Sequence, residues 1–243
     1  MKCALCLDER PIRRSHIVPE FLYLSMYDDK HRFEQINAIP NEGNKILQKG
    51  LREPLLCDDC EGLFATWERY GSLVLRGGTP IGIRQTNDRL YLSELDYPSL
   101  KLLQMSILWR AGVSSLPAFS QVKLGPHAER LREMLLSSNP GRPDQYGCLM
   151  FMVMHESDLV QSLIVQPTWA RLEQHKAYRF VFGGLAFLYL VTSEPIQPFI
   201  SEHFIQPVGT ATIKLQQMQE MQYLAKFISE MNMLGKLRGD NDA

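Results

Sequence analysis

Four cysteines constrain this chain more than any other residues. They come as two pairs, Cys3-x-x-Cys6 and Cys57-x-x-Cys60. Two thiolates at that spacing can share one tetrahedral ion at about 2.3 Å through a tight turn. The fifth, Cys148, lies in the apolar run Cys148-Leu149-Met150-Phe151 and reads as a core cysteine. An odd cysteine count argues against a disulfide framework, as does the lack of a long apolar stretch in Met1-Lys2-Cys3-Ala4-Leu5-Cys6. The expectation is a cytoplasmic protein in a reducing compartment, with structural Zn²⁺ on Cys3, Cys6, Cys57 and Cys60. Two chance pairs of buried thiols, or a redox dithiol, are the alternatives. A thioredoxin-like dithiol needs a strand-to-helix context that residues 1–6 lack.

The second pair leads into Gly62-Leu63-Phe64-Ala65-Thr66-Trp67-Glu68-Arg69-Tyr70. Leu63, Phe64, Trp67, Tyr70 and Val74 recur at helical spacing. The second pair therefore opens a helix, where the macrodipole favours thiolates and the acidic Asp58 and Asp59. An N-terminal knuckle, an extended hairpin and a helix supplying the last two ligands describe a treble-clef zinc fold.

Between the pairs runs Arg13-Arg14-Ser15-His16-Ile17-Val18-Pro19. Cys-x-x-Cys, then polar-His-Ile-x-Pro, then Leu-Cys-x-x-Cys at a helix start resembles the HNH family of ββα-metal endonucleases. The resemblance covers about residues 1–75. It implies that His16 is a general base that deprotonates water for attack on a scissile phosphate. An unperturbed imidazole titrates near pH ~6.5, which suits that task. Ser15 falls where the family usually carries an Asp metal ligand, and Glu61 where it carries a His or Asn. The middle Asn has no counterpart in Lys49-Gly50-Leu51-Arg52-Glu53-Pro54. Glu61 and Glu68 share one helix face, and with His16 they could serve a divalent ion such as Mg²⁺ or Mn²⁺. A neutral serine is a poor stand-in for a carboxylate on such an ion. The plainer alternatives are that His16 caps the turn at Pro19 or packs on the zinc module, and that Glu61 and Glu68 are a solvated face.

Charge gives little support for indiscriminate DNA binding. The whole chain carries 26 Lys and Arg against 27 Asp and Glu, and affinity for nucleic acid runs on phosphate neutralisation. The cations are grouped, however: Arg10, Arg13 and Arg14 on one expected strand, Lys45, Lys49 and Arg52 on the next. Paired, they would put a basic patch beside His16, with Arg13, Arg14, Lys49 and Arg52 as the nucleic-acid contacts. His31 sits in the charged turn Asp28-Asp29-Lys30-His31-Arg32 and reads as a solvated loop.

The fold class expected is α+β: a zinc-bound, ββα-metal-like module over residues 1–80, then an α+β helper domain over 81–243. In the latter, Pro98–Gly112 reads as a buried helix and His127–Ser137 as an amphipathic one. Cys148–His155, Ser162–Thr168, Tyr178–Phe182 and Leu185–Thr192 read as strands of an antiparallel sheet, with a bend or bulge at Gly183-Gly184. Lys214–Lys236 reads as a final helix whose methionines could face an adaptable partner, and residues 238–243 as a frayed tail. The longest apolar run, Phe180 to Thr192, is too short for the roughly 20 residues of a membrane span. No membrane partner is expected.

Two functions follow. One is a metal-dependent endonuclease hydrolysing DNA phosphodiester bonds, in a family that often acts on invading DNA or beside a partner ATPase. The other is a catalytically inactive zinc-bearing adaptor for a protein or nucleic acid. In both, the second unit would serve substrate docking, self-association or partner binding.

Overall fold

Ile12–His16 forms β1, the first strand in the computed structural model, which describes residues 1–36, 43–161 and 163–237. Two short 3-10 turns follow, then a small hairpin of β2 (Phe33–Gln35) and β3 (Lys45–Leu47). β4 (Arg52–Cys57) pairs antiparallel with β1, setting Ile12 opposite Cys57 and His16 opposite Arg52. Its end runs directly into α1 (Asp58–Leu75), whose first turn carries Asp58, Asp59 and Glu61 against the positive end of the dipole. Phe64, Trp67 and Gly71 make its buried stripe.

The hairpin β5 (Gly82–Gln85) and β6 (Arg89–Ser93) leads to α2 (Tyr97–Val113). Asp96 caps α2 by accepting from the Ser99 N–H, and Pro98 sits in its first turn, where a missing N–H costs nothing. Every residue from Lys101 to Ala111 is buried, so α2 is a central helix rather than a surface one. α3 (His127–Leu136) packs beside it. One continuous core joins Leu5, Leu56, Phe64 and Trp67 to Leu108 and Trp109 of α2 and to Leu131 and Leu135 of α3. The expected division at residue 80 falls between α1 and β5, and packing continues across it.

The remaining strands are β7 (Cys148–His155), β8 (Asp158–Leu159), β9 (Ile164–Leu172), β10 (His175–Phe182), β11 (Leu185–Leu190) and β12 (Ala211–Gln217), with the short helix α4 (Pro198–Ser201) and the terminal α5 (Gln222–Met233). The sheet runs β5-β6-β12-β7-β11-β10-β9, and β8 pairs with β7. Tyr178, Phe180 and Tyr189 project from it into the same core as the helices.

Two expectations need correction and a third is sharpened. The sheet is mixed, because β12 runs parallel to β7 while pairing antiparallel with β6. Lys214–Lys236 is not one helix: residues 211–217 form an interior strand, and only Gln222–Met233 is helical. The β-branched Thr212 and Ile213 fill a slot between two strands, and that tertiary demand overrides the local pattern. The bend or bulge expected at Gly183-Gly184, between two strands, is the two-residue turn joining β10 to β11, with φ of 56° and 84°. Two residues in left-handed conformation match the twist of a hairpin, and glycine adopts it without strain. Ser162 and the expected tail over residues 238–243 lie outside the described residues. Among the described residues no helix is long and apolar enough to cross a membrane.

Candidate metal centre and the His16 face

The sulfurs of Cys3, Cys6, Cys57 and Cys60 all lie within 4.8 Å of one another. Thiolates about 2.3 Å from a tetrahedral ion stand about 3.8 Å apart, and the Cys6 and Cys57 sulfurs are 3.8 Å apart. All are free thiols. The knuckle that carries the first pair is closed by the Leu7 N–H on the Cys3 carbonyl at 3.0 Å, with Leu7 at φ 67°. It is tied to β4 by the Ala4 N–H on the Leu55 carbonyl at 3.0 Å. Arg132 of α3 reaches in to donate to the Leu5 carbonyl at 2.7 Å.

Backbone N–H groups favour charge on the Cys3 sulfur. Burial alone would raise the Cys3 thiol, yet the backbone N–H groups of Cys57, Cys6 and Leu5 bring it down to about 7; the Cys57 N–H donates to Cys3 Sγ at 3.4 Å. Cys60 is pushed the other way, by burial and by its neighbouring cysteines. A cation among four such sulfurs relieves that mutual repulsion. The donor set fits a soft or borderline divalent metal ion.

His16 ends β1, and its ring is partly buried. Nε2 lies 2.8 Å from Glu20 Oε2, but out of line, so that this buried nitrogen has no hydrogen-bond partner. Burial lowers the imidazole pKa, as do Arg52 of β4 and Arg110 of α2, while Glu20 and Glu68 oppose them. Glu61, in the first turn of α1, has a buried Oε1 that is also without a partner. Burial raises its carboxyl, opposed by the Ser15 hydroxyl and Arg110.

The other expected site residues carry further bonds of their own. Ser15 is buried, and its hydroxyl accepts the Leu56 N–H at 3.1 Å beside the register shift between β1 and β4. It mends the ladder there. Glu68 Oε1 lies 2.7 Å from Nη1 of the buried Arg110. Seven residues of helix also separate Glu61 from Glu68 by about 10 Å along the axis. Among the described residues, the four cysteines are the only group of three or more His, Cys, Asp or Glu side chains close enough to hold one ion. A hard cation wants several oxygens, so these residues alone do not complete a Mg²⁺ or Mn²⁺ site.

The basic patch is divided as well. Arg13 forks onto Asp58 and Arg10 pairs with Asp59, both at the start of α1. Arg14 reaches the Arg52 carbonyl at 3.5 Å. Among the described residues neither Lys49 nor Arg52 pairs with a carboxylate; Arg52 stands opposite His16 in the β1–β4 pair, and Lys49 is exposed in the segment before β4. His31 is exposed and stacks on Tyr27, 3.9 Å between ring centroids.

No protein-family model, curated protein or solved structure matches this chain. Function therefore has to be argued from the site. Sequence reasoning missed two of its members. Glu20 was findable, four residues after His16 across a Pro turn. Arg110 was not, since nothing in a helical pattern distinguishes a buried arginine from a solvated one.

Proposed function

We propose that this chain is a zinc-bearing endonuclease of HNH type that hydrolyses DNA phosphodiester bonds with His16 as general base. One observation carries the proposal. Six buried side-chain polar atoms lack a hydrogen-bond partner among the described residues, and His16 Nε2 and Glu61 Oε1 are two of them. Buried polar atoms left unpaired are costly, and such atoms concentrate where a ligand completes them. The same two residues are those that the HNH resemblance singles out.

The knuckle, the β1–β4 pair and α1 carry the thiolate pairs in treble-clef order, and four thiolates at tetrahedral spacing favour Zn²⁺. Zinc holds β1 against the start of α1, and thereby His16 against Glu61. A His16 imidazole kept neutral by burial takes the proton of a water whose oxygen then bonds to phosphorus. One P–O ester bond breaks, and the leaving oxygen takes a proton from solvent. Lys49, Arg52 and Arg14 are the cations for the neighbouring phosphates. The Mg²⁺ or Mn²⁺ that the resemblance implies would find Glu61 as its one free carboxylate and would supply charge stabilisation when bound. Action on invading DNA in the cytoplasm belongs to this proposal at the level of the family alone.

Purified protein with Mg²⁺ or Mn²⁺ should nick supercoiled plasmid. His16→Ala should abolish nicking while metal content and thermal melt are retained, and equal cleavage by the two proteins refutes the assignment.

The ties on Ser15 and Glu68 favour a second reading, a non-catalytic zinc adaptor that binds a protein, a nucleic acid or a second copy of itself through the larger unit. Titration of Mn²⁺ into zinc-loaded protein separates them. Binding lost in Glu61→Ala supports the nuclease, and absence of binding supports the adaptor.

A further inference from the structure

Arg110 belongs to α2, yet its side chain ends inside the zinc-bearing module. It is 1 % exposed. Nη1 donates to the His16 carbonyl at 2.7 Å and lies 2.7 Å from Glu68 Oε1. Nε donates to the Ser106 carbonyl at 3.3 Å, and Nη2 to the Ser106 hydroxyl at 3.1 Å. The guanidinium carbon stands 5.2 Å from the centre of the Phe64 ring. One side chain thus joins the end of β1, the middle of α1 and α2.

Burying an ion pair is a poor way to gain stability. Apolar side chains of similar volume usually serve as well or better, because a buried charge must be stripped of water, here Arg110 fully and Glu68 in part. The pair is better explained by what its geometry holds in place. Arginine suits that purpose, since its planar fork serves several acceptors at fixed angles and a lysine ammonium does not. The acceptor that matters is the main chain of His16. The charged groups facing that residue come from four elements: Glu20 after β1, Arg52 of β4, Glu68 of α1 and Arg110 of α2.

We propose that Arg110 is the positioning residue of the His16–Glu61 face, so that the site is complete only with α2 docked against the zinc module. This rests on the nuclease reading for its kinetic consequence but not for its geometric one. The larger unit is then a wall of the site, not a tethered accessory. Glu68 acts as the counter-ion of Arg110.

Three variants of the full chain test it: R110K, R110Q and R110Q/E68Q. R110Q alone leaves Glu68 uncompensated and can fail to fold, so the double variant and R110K decide. Both should retain zinc and melt as one transition. A misplacement on the order of 1 Å at a reacting group costs about 100-fold. R110Q/E68Q should therefore lose about 100-fold in kcat on a labelled duplex, with KM within about threefold, and R110K should recover about tenfold of that loss. A folded double variant with wild-type kcat overturns the proposal, as does a loss carried by KM alone. Should the wild type not cleave at all, the nuclease reading falls and the geometry is read from the His16 imidazole resonances. R110K keeps the charge and alters the fork, so displaced resonances with zinc intact support the proposal and unmoved ones overturn it.

Discussion

Removing the metal tests the centre on which every other assignment depends. Cys3, Cys57 and Cys60 are buried within the core that also contains Leu5, Leu56, Phe64 and Trp67. Apart from packing and an ion on the four sulfurs, few bonds among the described residues would hold the knuckle to the rest. They include the Ala4–Leu55 and Cys57–Cys3 contacts, the Arg10–Asp59 pair and the Arg132 reach to Leu5. Structural zinc contributes about 10–16 kcal/mol in small zinc modules at pH 7, as much as the whole stability, about 5–15 kcal/mol, of an ordinary domain. Here the module shares its core with α2 and α3, so chelation should loosen residues 1–64 without melting the large sheet. If only a third of the zinc term is lost to the whole, about 4 kcal/mol, then at about 2–4 °C per kcal/mol the Tm falls by about 8–16 °C. Hydrogen exchange measured before and after a strong chelator should show faster exchange in the knuckle, β1 and β4, with β7, β10 and β11 unchanged. Cys60→Ser should reproduce the pattern. Binding must displace protons from thiols that burial holds protonated, Cys60 above all, so zinc affinity should fall as pH falls. A protein that carries no metal when freshly purified, or that loses it with no change in exchange over residues 1–64, refutes the reasoning.

Further predictions concern the core beneath the site. Lys101 is fully buried, donates to the Pro143 and Tyr146 carbonyls, and has its pKa lowered to about 7 by burial. Its unfolded pKa is higher, near ~10.4, so the unfolded chain binds the extra proton and stability should rise with pH from about 7 to 8.5; urea titrations of Lys101→Met should show a flatter slope, and equal slopes refute this. Glu53 accepts from the Ser115 N–H at 3.1 and 3.2 Å and from the Ser114 and Ser115 hydroxyls. Glu53→Ala strands those donors and should cost about 1–3 kcal/mol in urea denaturation with zinc content unchanged. A Cβ on Gly71 would meet Leu103 Cδ2 at 2.2 Å where α1 crosses α2, so Gly71→Ala should destabilise by about 1–3 kcal/mol despite a gain of about 1 kcal/mol in helix propensity. A more stable Gly71→Ala protein would show that Leu103 moves aside freely.

What was legible in this sequence divides along physical lines. The cysteine pairs declare themselves because metal ligation needs a particular residue type at a short, local spacing, and the clustered sulfurs bear that out. The helices over α1, α2 and α3 are legible from periodicity, and β7 is recovered at Cys148–His155. β12 was not legible. Its seven residues precede a helix, contain no turn signal, and take strand form only because β6 and β7 leave a slot between them. The place of the β5–β6 hairpin in the large sheet was not legible either, since its partner strand β12 lies more than a hundred residues away in sequence. Charge was the least legible of all. Arg13 read as a cation for phosphate and Arg10 as its neighbour in the basic group, yet Asp58 and Asp59, which read as helix-dipole partners, take them up.

The same blindness explains why the two halves of the chain looked independent. Periodicity reports which positions face inward, and it assumes that charged positions do not. Lys101 and Arg110 break that assumption within one helix, both fully buried. Lys101 is met by two main-chain carbonyls, and Arg110 by two main-chain carbonyls, the Ser106 hydroxyl and the Glu68 carboxylate, the condition under which burial of a cation is tolerable at all. A buried cation must be satisfied by fixed partners, and those partners bind the elements that carry them. Lys101 draws the loop before β7 onto α2, Arg110 draws the end of β1 and the middle of α1 onto it, and Glu53 fastens β4 to the residues that end it. α2 is thus the element through which the large sheet reaches the His16 face. A substitution that unseats α2 should disturb that face while leaving the four sulfurs, held by β4, α1 and the knuckle, clustered as they are.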